Sequence, residues 1–451
     1  MHARLCGGSA IAAGLVRLPI HVGTSTVMPV LLLLGGLAFP VHAEEVAPPP
    51  VVLSAPVAPA VPAMTVVSVV SLVQRRHPTA QALAAARQAA AARVDQAGYW
   101  ANPELEFNAG RTRPRTADLE VDRPYGVKIS QRLSWWQARS ARVRAATAQA
   151  AVAHAESAAR LLELEVEVRL SVIAWASAQA SVALAKQQTE VTTALSDAVV
   201  IRQALGDIDN GEVARIRLEA AMVQVKRVAA ERQVALQMAL LQVWCGEDLP
   251  AGFVISDALL DPVAQPVGTD HDVVVGHPRL RAAVAAERAA EARVTAERQA
   301  RIPDLTVGIF GDREREKDSF GLSLGLEVPL WDRNAAGIAE AEAERAQRAA
   351  ERAGVIQALA QERTLVTGEL ASAAAEVLAL RDQVVPVAND LITLRMAAFS
   401  AGGASVAEVL ESRRAALSAQ GDLLAARRRY AELQVRLLAL GDSAPHVGEQ
   451  P

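Results

Sequence analysis

"DSFGLSLGLEVPLWDRNAAGIAEAEAERAQ" (residues 318–347) changes its grammar halfway along. From Phe320 to Leu330 every second residue is apolar (Phe320, Leu322, Leu324, Leu326, Val328, Leu330), and between them stand Gly321, Ser323, Gly325, Glu327 and Pro329. That alternation describes a strand with one apolar and one wet face. After Trp331 the text turns to alanine, glutamate and arginine, which favour helix and offer only thin apolar stripes. Such a strand needs something to pair with.

The chain supplies partners by being written twice. "RHPTAQALAAARQAAAARVDQAGYWANPELEFNAG" from Arg76 returns as "GHPRLRAAVAAERAAEARVTAERQARIPDLTVGIFG" from Gly276, with His77-Pro78 on His277-Pro278 and Pro103 on Pro303. Further on, "YGVKISQRLSWW" (Tyr125 to Trp136) falls on "FGLSLGLEVPLW" (Phe320 to Trp331). The offset shrinks from 200 to 195 between the two strands of each half, where a loop should vary. Each half reads helix, strand, loop, strand, long helix, turn, helix. The other strands alternate too: Leu105, Phe107 and Ala109 against Glu104, Glu106 and Asn108; Tyr125, Val127, Ile129, Leu133 and Trp135 against Gly126, Lys128, Ser130, Arg132 and Ser134; Leu305, Val307 and Ile309 against Thr306 and Gly308. Gln131 breaks the apolar face.

Strands of this length with one apolar face fit the wall of a membrane barrel. An antiparallel sheet covering a soluble core uses the same alternation. Four strands cannot close a barrel, and an open edge in lipid is not tolerated. If the strands lie in a membrane, several copies must share one barrel, and three copies give twelve strands. Trp100, Trp135, Trp136 and Trp331 flank strand ends on the helix side, where an interfacial belt would lie. The loops Arg111 to Pro124 and Asp312 to Ser319 are polar and charged, as water-exposed connections should be.

Composition agrees with long, closely packed helices: half of the 451 residues are apolar, yet only 3% are aromatic. A formal charge of −4 with no basic face argues against nucleic acid as a partner. "VMPVLLLLGGLAF" (Val27 to Phe39) followed by "PVHAEE" reads as an export signal cut after Ala43. Cys6 precedes the apolar run, so no lipid anchor is expected there, and Cys245 alone remains in the mature chain, too few for an internal disulfide. The expected organisation is a signal peptide (1–43), a proline-rich arm (44–64), a first repeat (65–246, strands 103–111 and 125–135), a linker (247–270), a second repeat (271–441, strands 304–312 and 320–330) and a tail (442–451).

From Ala138 to Leu205 there is neither proline nor glycine, enough for a helix about 100 Å long. Leu161, Leu164, Val168, Ser171, Trp175, Ala178, Val182 and Ala185 form one stripe; Leu162, Val166, Leu170 and Ile173 form a second, so neighbours are expected on both sides. The matching helix, about Ala335 to Ala401, carries Pro386 in its interior and should kink there. The far turns also repeat: "GDIDNGEV" (Gly206 to Val213) matches "GGASVAEV" (Gly402 to Val409), with Glu212 on Glu408 and Arg217 on Arg413. Glycine ends the incoming helix; Asp209 or Ser405 then begins the next as N-cap, with Glu212 or Glu408 at capping-box spacing. Asp207 and Asp209, with Glu212, make the first tip acidic, and on a symmetric assembly they would form a ring at a pore mouth. A plain cap and a solvated turn is the other reading of the same acids.

These halves, with "NPELEFNAG" and "IPDLTVGIFG" entering strands, "LEVPLWDRNAAGIAEAEA" leaving one, and the tips "GDIDNGEVAR" and "GGASVAEVLE", resemble the TolC-type outer-membrane efflux protein family from about Thr65 to Gly441. The Pro-Leu-Trp-Asp-Arg-Asn run before Gly337 is most similar to the heavy-metal (Czc-type) branch serving resistance-nodulation-division (RND) pumps. The resemblance implies a mainly α protomer of helical hairpins plus four strands, forming a homotrimer: a twelve-stranded β-barrel in the outer membrane on an α-helical barrel in the periplasm. It implies docking to a periplasmic adaptor protein and an RND pump of the inner membrane, through tips that include Gly206, Asn210, Gly211, Gly402, Gly403 and Ser405. Strand positions Glu106, Lys128, Ser130, Arg132, Ser323 and Glu327 would line the barrel lumen.

The function expected is a passive exit duct, with heavy-metal cations as cargo; a multidrug or type I secretion channel is the alternative, and a periplasmic hairpin adaptor a weaker one. No catalytic residue, cofactor or resident metal is expected: there is no phosphate-binding glycine loop, nucleophile elbow or zinc-ligand pattern, and His77, His154, His271, His277 and His446 are scattered. His77 and His277 each precede a proline at a helix start, which favours a structural role over ligation.

Overall fold

The computed structural model describes residues 63–111, 123–246, 254–255, 259–260 and 276–441. The expected signal, most of the arm and linker, and the tail lie outside the described residues, as do His271 and His446.

The first half begins with β1 (Ala63–Met64) and α1 (Val66–Arg76), whose Val66, Val69, Val70 and Val73 bury one face. Helix α2 (Pro78–Gly98) starts on His77, whose ring nitrogen Nδ1 accepts the Thr79 N–H at 3.2 Å. Proline follows because the first helical residue needs no N–H. Then come β2 (Glu104–Ala109), β3 (Tyr125–Leu133), the 69-residue α3 (Trp136–Ala204) and α4 (Asn210–Cys245). β4 (Val254–Ile255) pairs in parallel with β1.

The second half repeats the order with α5 (Pro278–Ala300), β5 (Leu305–Arg313), β6 (Asp318–Leu326), α6 (Ala335–Ala379), a π turn (Leu380–Val384), α7 (Val385–Ser400) and α8 (Val406–Ala439). Here too the histidine caps: His277 Nδ1 accepts the Arg279 N–H at 3.1 Å.

Three expectations need correction. Strand β6 stops at Leu326 rather than Leu330, because Pro329 has no N–H for a ladder and Leu330 turns back onto the Val328 carbonyl at 2.9 Å. The helix expected from Ala335 to Ala401 is interrupted by the π turn, where Val385 N–H bonds the Leu380 carbonyl, five residues back. The Pro386 ring would strike the carbonyl four residues before it in a regular helix, and a wider turn moves that carbonyl aside. Strand β3 also ends early, since Trp135 is already the extended N-cap of α3.

The four long strands form one antiparallel sheet in the order β2-β3-β5-β6. Its register puts Leu105, Ile129, Ile309 and Leu322 in one row, and Phe107, Val127, Gly311 and Phe320 in the next. Among the described residues nothing covers this face: Phe320 is 84% exposed and Leu322 75%. A soluble sheet would hide such side chains, each worth about 1.5–3 kcal/mol on burial. Gln131 sits in the apolar rows with its amide turned back to the Ala101 carbonyl at 2.6 Å.

The opposite face carries Glu106, Lys128, Phe310 and Gly321 in one row and Glu104, Ser130, Gly308 and Ser323 in another. It is the crowded side. A Cβ on Gly308 would stand 2.9 Å from the Ile129 carbonyl, and one on Gly321 would stand 2.7 Å from the Phe310 ring. Crowding on the polar face and openness on the apolar face are what a sheet curled around its polar side produces.

On α3 the first stripe is core: Leu164, Val168 and Trp175 pack with the α1 valines, Leu241 and Cys245. The second half has its own core of Leu280, Leu359, Val366, Leu370, Val377 and Leu433. Helix α3 packs against α4 on one side and α8 on the other, and α7 packs against α8. Helices α4 and α7 therefore stand at the two edges, with Leu218, Met222, Val225, Leu236, Leu240 and Val243 of α4 exposed at three-four spacing, and Val387, Leu391 and Leu394 of α7 likewise.

Candidate functional site

Both hairpin tips end their incoming helix in the same way. Gly206 and Gly402 take φ of 82° and 77°, a region costly for any residue with a Cβ. In the first tip Gly206 N–H bonds the Gln203 carbonyl and Asp207 N–H the Arg202 carbonyl, both at 3.0 Å; in the second, Gly402 bonds Phe399 and Gly403 bonds Ala398 at 3.0 and 2.8 Å. This paired pattern satisfies carbonyls that the helix end leaves open.

The two tips pack on each other through one apolar cluster that includes Leu195, Val199, Ile208, Val213, Phe399 and Val406. Ile208 turns inward, and that fixes its neighbours. Asp207 is exposed and its carboxylate has no partner among the described residues. Asp209 is a working N-cap: Oδ1 accepts the Glu212 N–H at 2.9 Å. Gly211 has to be small there, since a Cβ would come within 2.9 Å of that oxygen. Asn210 accepts from the Gln203 side-chain amide at 2.8 Å.

The capping boxes differ. Ser405 and Glu408 make the reciprocal box, Ser405 N–H to Glu408 Oε2 at 2.9 Å and Glu408 N–H to Ser405 Oγ at 3.3 Å. The bond from the Ser405 backbone, ahead of one from its hydroxyl, holds the Glu408 carboxyl below its ordinary range. Glu212, at the same spacing, does not turn back on Asp209. It crosses to the other hairpin, where Oε1 accepts the Val406 N–H at 3.3 Å.

Three arginines to which the sequence assigned no role, Arg413 among them, bind the hairpins together. Arg202 donates to the Phe399 carbonyl at 2.7 Å and lies 4.7 Å from that ring. Arg413, only 5% exposed, donates to the Gln188 carbonyl of α3, and burial lowers its pKa while Glu219 opposes the shift. Arg414 pairs with Glu219, a buried carboxylate, at 2.5 Å. Arg217, the counterpart of Arg413, is exposed. A signal was present: Arg414 of the second half stands where the first has Leu218, and Glu219 of the first stands where the second has Ala415, so the halves depart from each other with complementary charge.

On the sheet, Glu106 and Lys128 are direct cross-strand neighbours, Ser130 and Ser323 flank Gly308, and Arg132 faces Thr306. Glu327 lies one residue past the end of β6. Phe310 shares this polar face and escaped the sequence reading. At the helix end of the sheet Trp135 donates its indole N–H to the Pro303 carbonyl at 2.9 Å, and Trp100 lies under the Arg139 guanidinium at 5.1 Å. Trp136 and Trp331 are bare, Trp331 at 93% exposure. Among the described residues no three histidine, cysteine or acidic side chains gather as a metal site. Burial pushes the Cys245 thiol up to about 11.

A family model described as "Outer membrane efflux protein" matches residues 69–247 and 271–441. Protein CyaE of Bordetella pertussis is 27% identical over 384 residues, covering 77% of this chain and 76% of CyaE. The nickel-cobalt-cadmium resistance protein NccC of Alcaligenes xylosoxydans xylosoxydans is 27% identical over 277 residues; that match spans 58% of this chain and 60% of NccC. Among solved structures, CusC superimposes with a TM-score of 0.73 at 17% identity, over 84% of this chain and 92% of that one, which is a likeness of fold.

Proposed function

From membership of the outer membrane efflux protein family, to which this chain belongs, we propose that it is the outer-membrane exit duct of a tripartite efflux system. The carrying observation is the sheet: four strands and, among the described residues, both outer strands unpaired on one side and an apolar face that nothing covers. Lipid does not tolerate unpaired strand edges, so sister copies complete the wall, and three copies give a closed ring of twelve strands. The exposed apolar seams on α4 and α7 support the same closure, one copy's α4 lying against the next copy's α7 around a helical tunnel.

In this reading the polar face, with Glu106, Lys128, Ser130, Arg132, Ser323 and Glu327, lines the lumen, and the four tryptophans mark the lipid–water boundary. Asp207, Asp209 and Glu212 ring the periplasmic mouth. The tips at Gly206, Asn210, Gly211, Gly402, Gly403 and Ser405 meet a periplasmic adaptor, and an RND pump behind it supplies the energy. No step is catalytic. The likeness to NccC and the Pro-Leu-Trp-Asp-Arg-Asn run support divalent heavy-metal cations as cargo.

Two measurements test this. Mass determination of detergent-extracted protein should give a trimer; a stable, detergent-independent single chain would refute the duct. Deletion of the gene should then sensitise cells to nickel, cobalt, cadmium or zinc salts, whereas sensitivity confined to organic compounds would overturn the metal assignment.

A further inference from the structure

Where the polar sheet face meets the helices there is a cavity of about 290 Å³, lined by Arg132, Thr306, Glu327 and Asp304 with Ala138 and Arg142 of α3. Two arginines, an aspartate and a glutamate are thus among its lining residues. Among the described residues none of the four is ion-paired. Ala138, Ala296, Ala300 and Thr306 give short side chains to the wall, which Ile302 and Pro303 complete.

Arg132 and Glu327 also occupy matched places in the two halves, each four residues ahead of a tryptophan, Trp136 or Trp331. Arg132 is on β3 and Glu327 follows β6, two strands along in the sheet. In a ring closed by sister copies, two more strands separate that glutamate from the same arginine of the next copy. The spacing is therefore even, and the sign changes at every step.

Resting on the trimeric duct proposed above, we infer that the neck between barrel and tunnel carries a ring of alternating charge, Arg132 and Glu327 in turn, which sets the ion preference of the exit. A ring of one sign repels like ions across the whole opening. An alternating ring cancels on the axis while offering each ion an opposite charge at the wall. Arg142 and Asp304 add one charge of each sign and keep the balance. A cation drawn in by the acidic mouth thus reaches a neck that neither excludes it nor holds it, and its counter-anion passes as well. Conduction needs this combination of entry and release.

The test is the reversal potential of purified channels in planar bilayers under a KCl gradient. Arg132→Gln should raise the cation-to-anion permeability ratio by about threefold, Glu327→Gln should lower it by a similar factor, and the double variant should return near the starting value. The exchange variant R132E/E327R keeps the alternation and should match the unaltered channel, a check that stands if a single variant fails to insert. Single variants that leave the ratio unchanged, or move it in the same direction, overturn the ring and leave the duct standing. Unaltered protein that inserts but does not conduct overturns the duct, and the ring with it.

Discussion

The two hairpin tips have the same backbone and different side-chain allegiances. Ser405 and Glu408 close their own box, whereas Glu212 leaves Asp209 with a single capping bond and reaches the Val406 N–H instead. The second tip is self-sufficient; the first is fastened to it. A duplicated element can thus keep its turn chemistry and use one changed partner to make the copies cohere.

The sharpest way to break this asymmetry lies one turn inward. Glu219→Ala strips Arg413 of its nearby countercharge and Arg414 of its partner, and should cost about 3 kcal/mol, read as faster amide exchange along α8 near Gln188. Arg217→Ala, at the matched exposed position, should stay within about 0.5 kcal/mol. Next in size are the caps: Ser405→Ala and Asp209→Ala should each cost about 1 kcal/mol in local opening of their own helices. Glu212→Ala should quicken exchange at Val406 while sparing the first turn of α4; the opposite result would mean that Glu212 serves its own tip. Asp207→Ala should leave stability within about 0.5 kcal/mol yet reduce cation preference in bilayers, because its carboxylate has no partner among the described residues.

The smallest effect falls on the capping histidine of the second half. Burial, followed by Arg279, lowers the His277 pKa from 6.5, against the weaker pull of Glu362 and a bond to the Ala439 backbone. The unfolded chain therefore takes up the proton first, so the stability this group contributes is present above its ordinary value and is lost as pH falls through the lowered one. Thermal melts from neutral to mildly acidic pH should show that loss, and His277→Asn, which keeps a cap, should flatten it.

Much of this was legible in the sequence because it depends on period and spacing. Alternation over Phe320 to Leu326 gave the strand, the glycine-free run gave α3, and the glycine-to-cap interval gave both tips. What stayed hidden depends on distant partners. Local spacing puts Glu212 and Glu408 in the same role, and only the approach of α8 to the first tip separates them. Phe310 extends an apolar pair with Ile309 that alternation cannot assign to a face; its place over Gly321 follows from the register of β5 and β6. The overrun from Leu326 to Leu330 came from trusting hydropathy through Pro329.

The π turn at Leu380–Val384 has one more consequence. It spends an extra residue on a single revolution, so everything downstream is out of phase with an uninterrupted spiral by about 100°. Helix α3 has no such slip. Beyond this turn the two halves thus cease to be rotational copies of each other. Deleting one residue there would swing Val387, Leu391 and Leu394 away from the seam they now form.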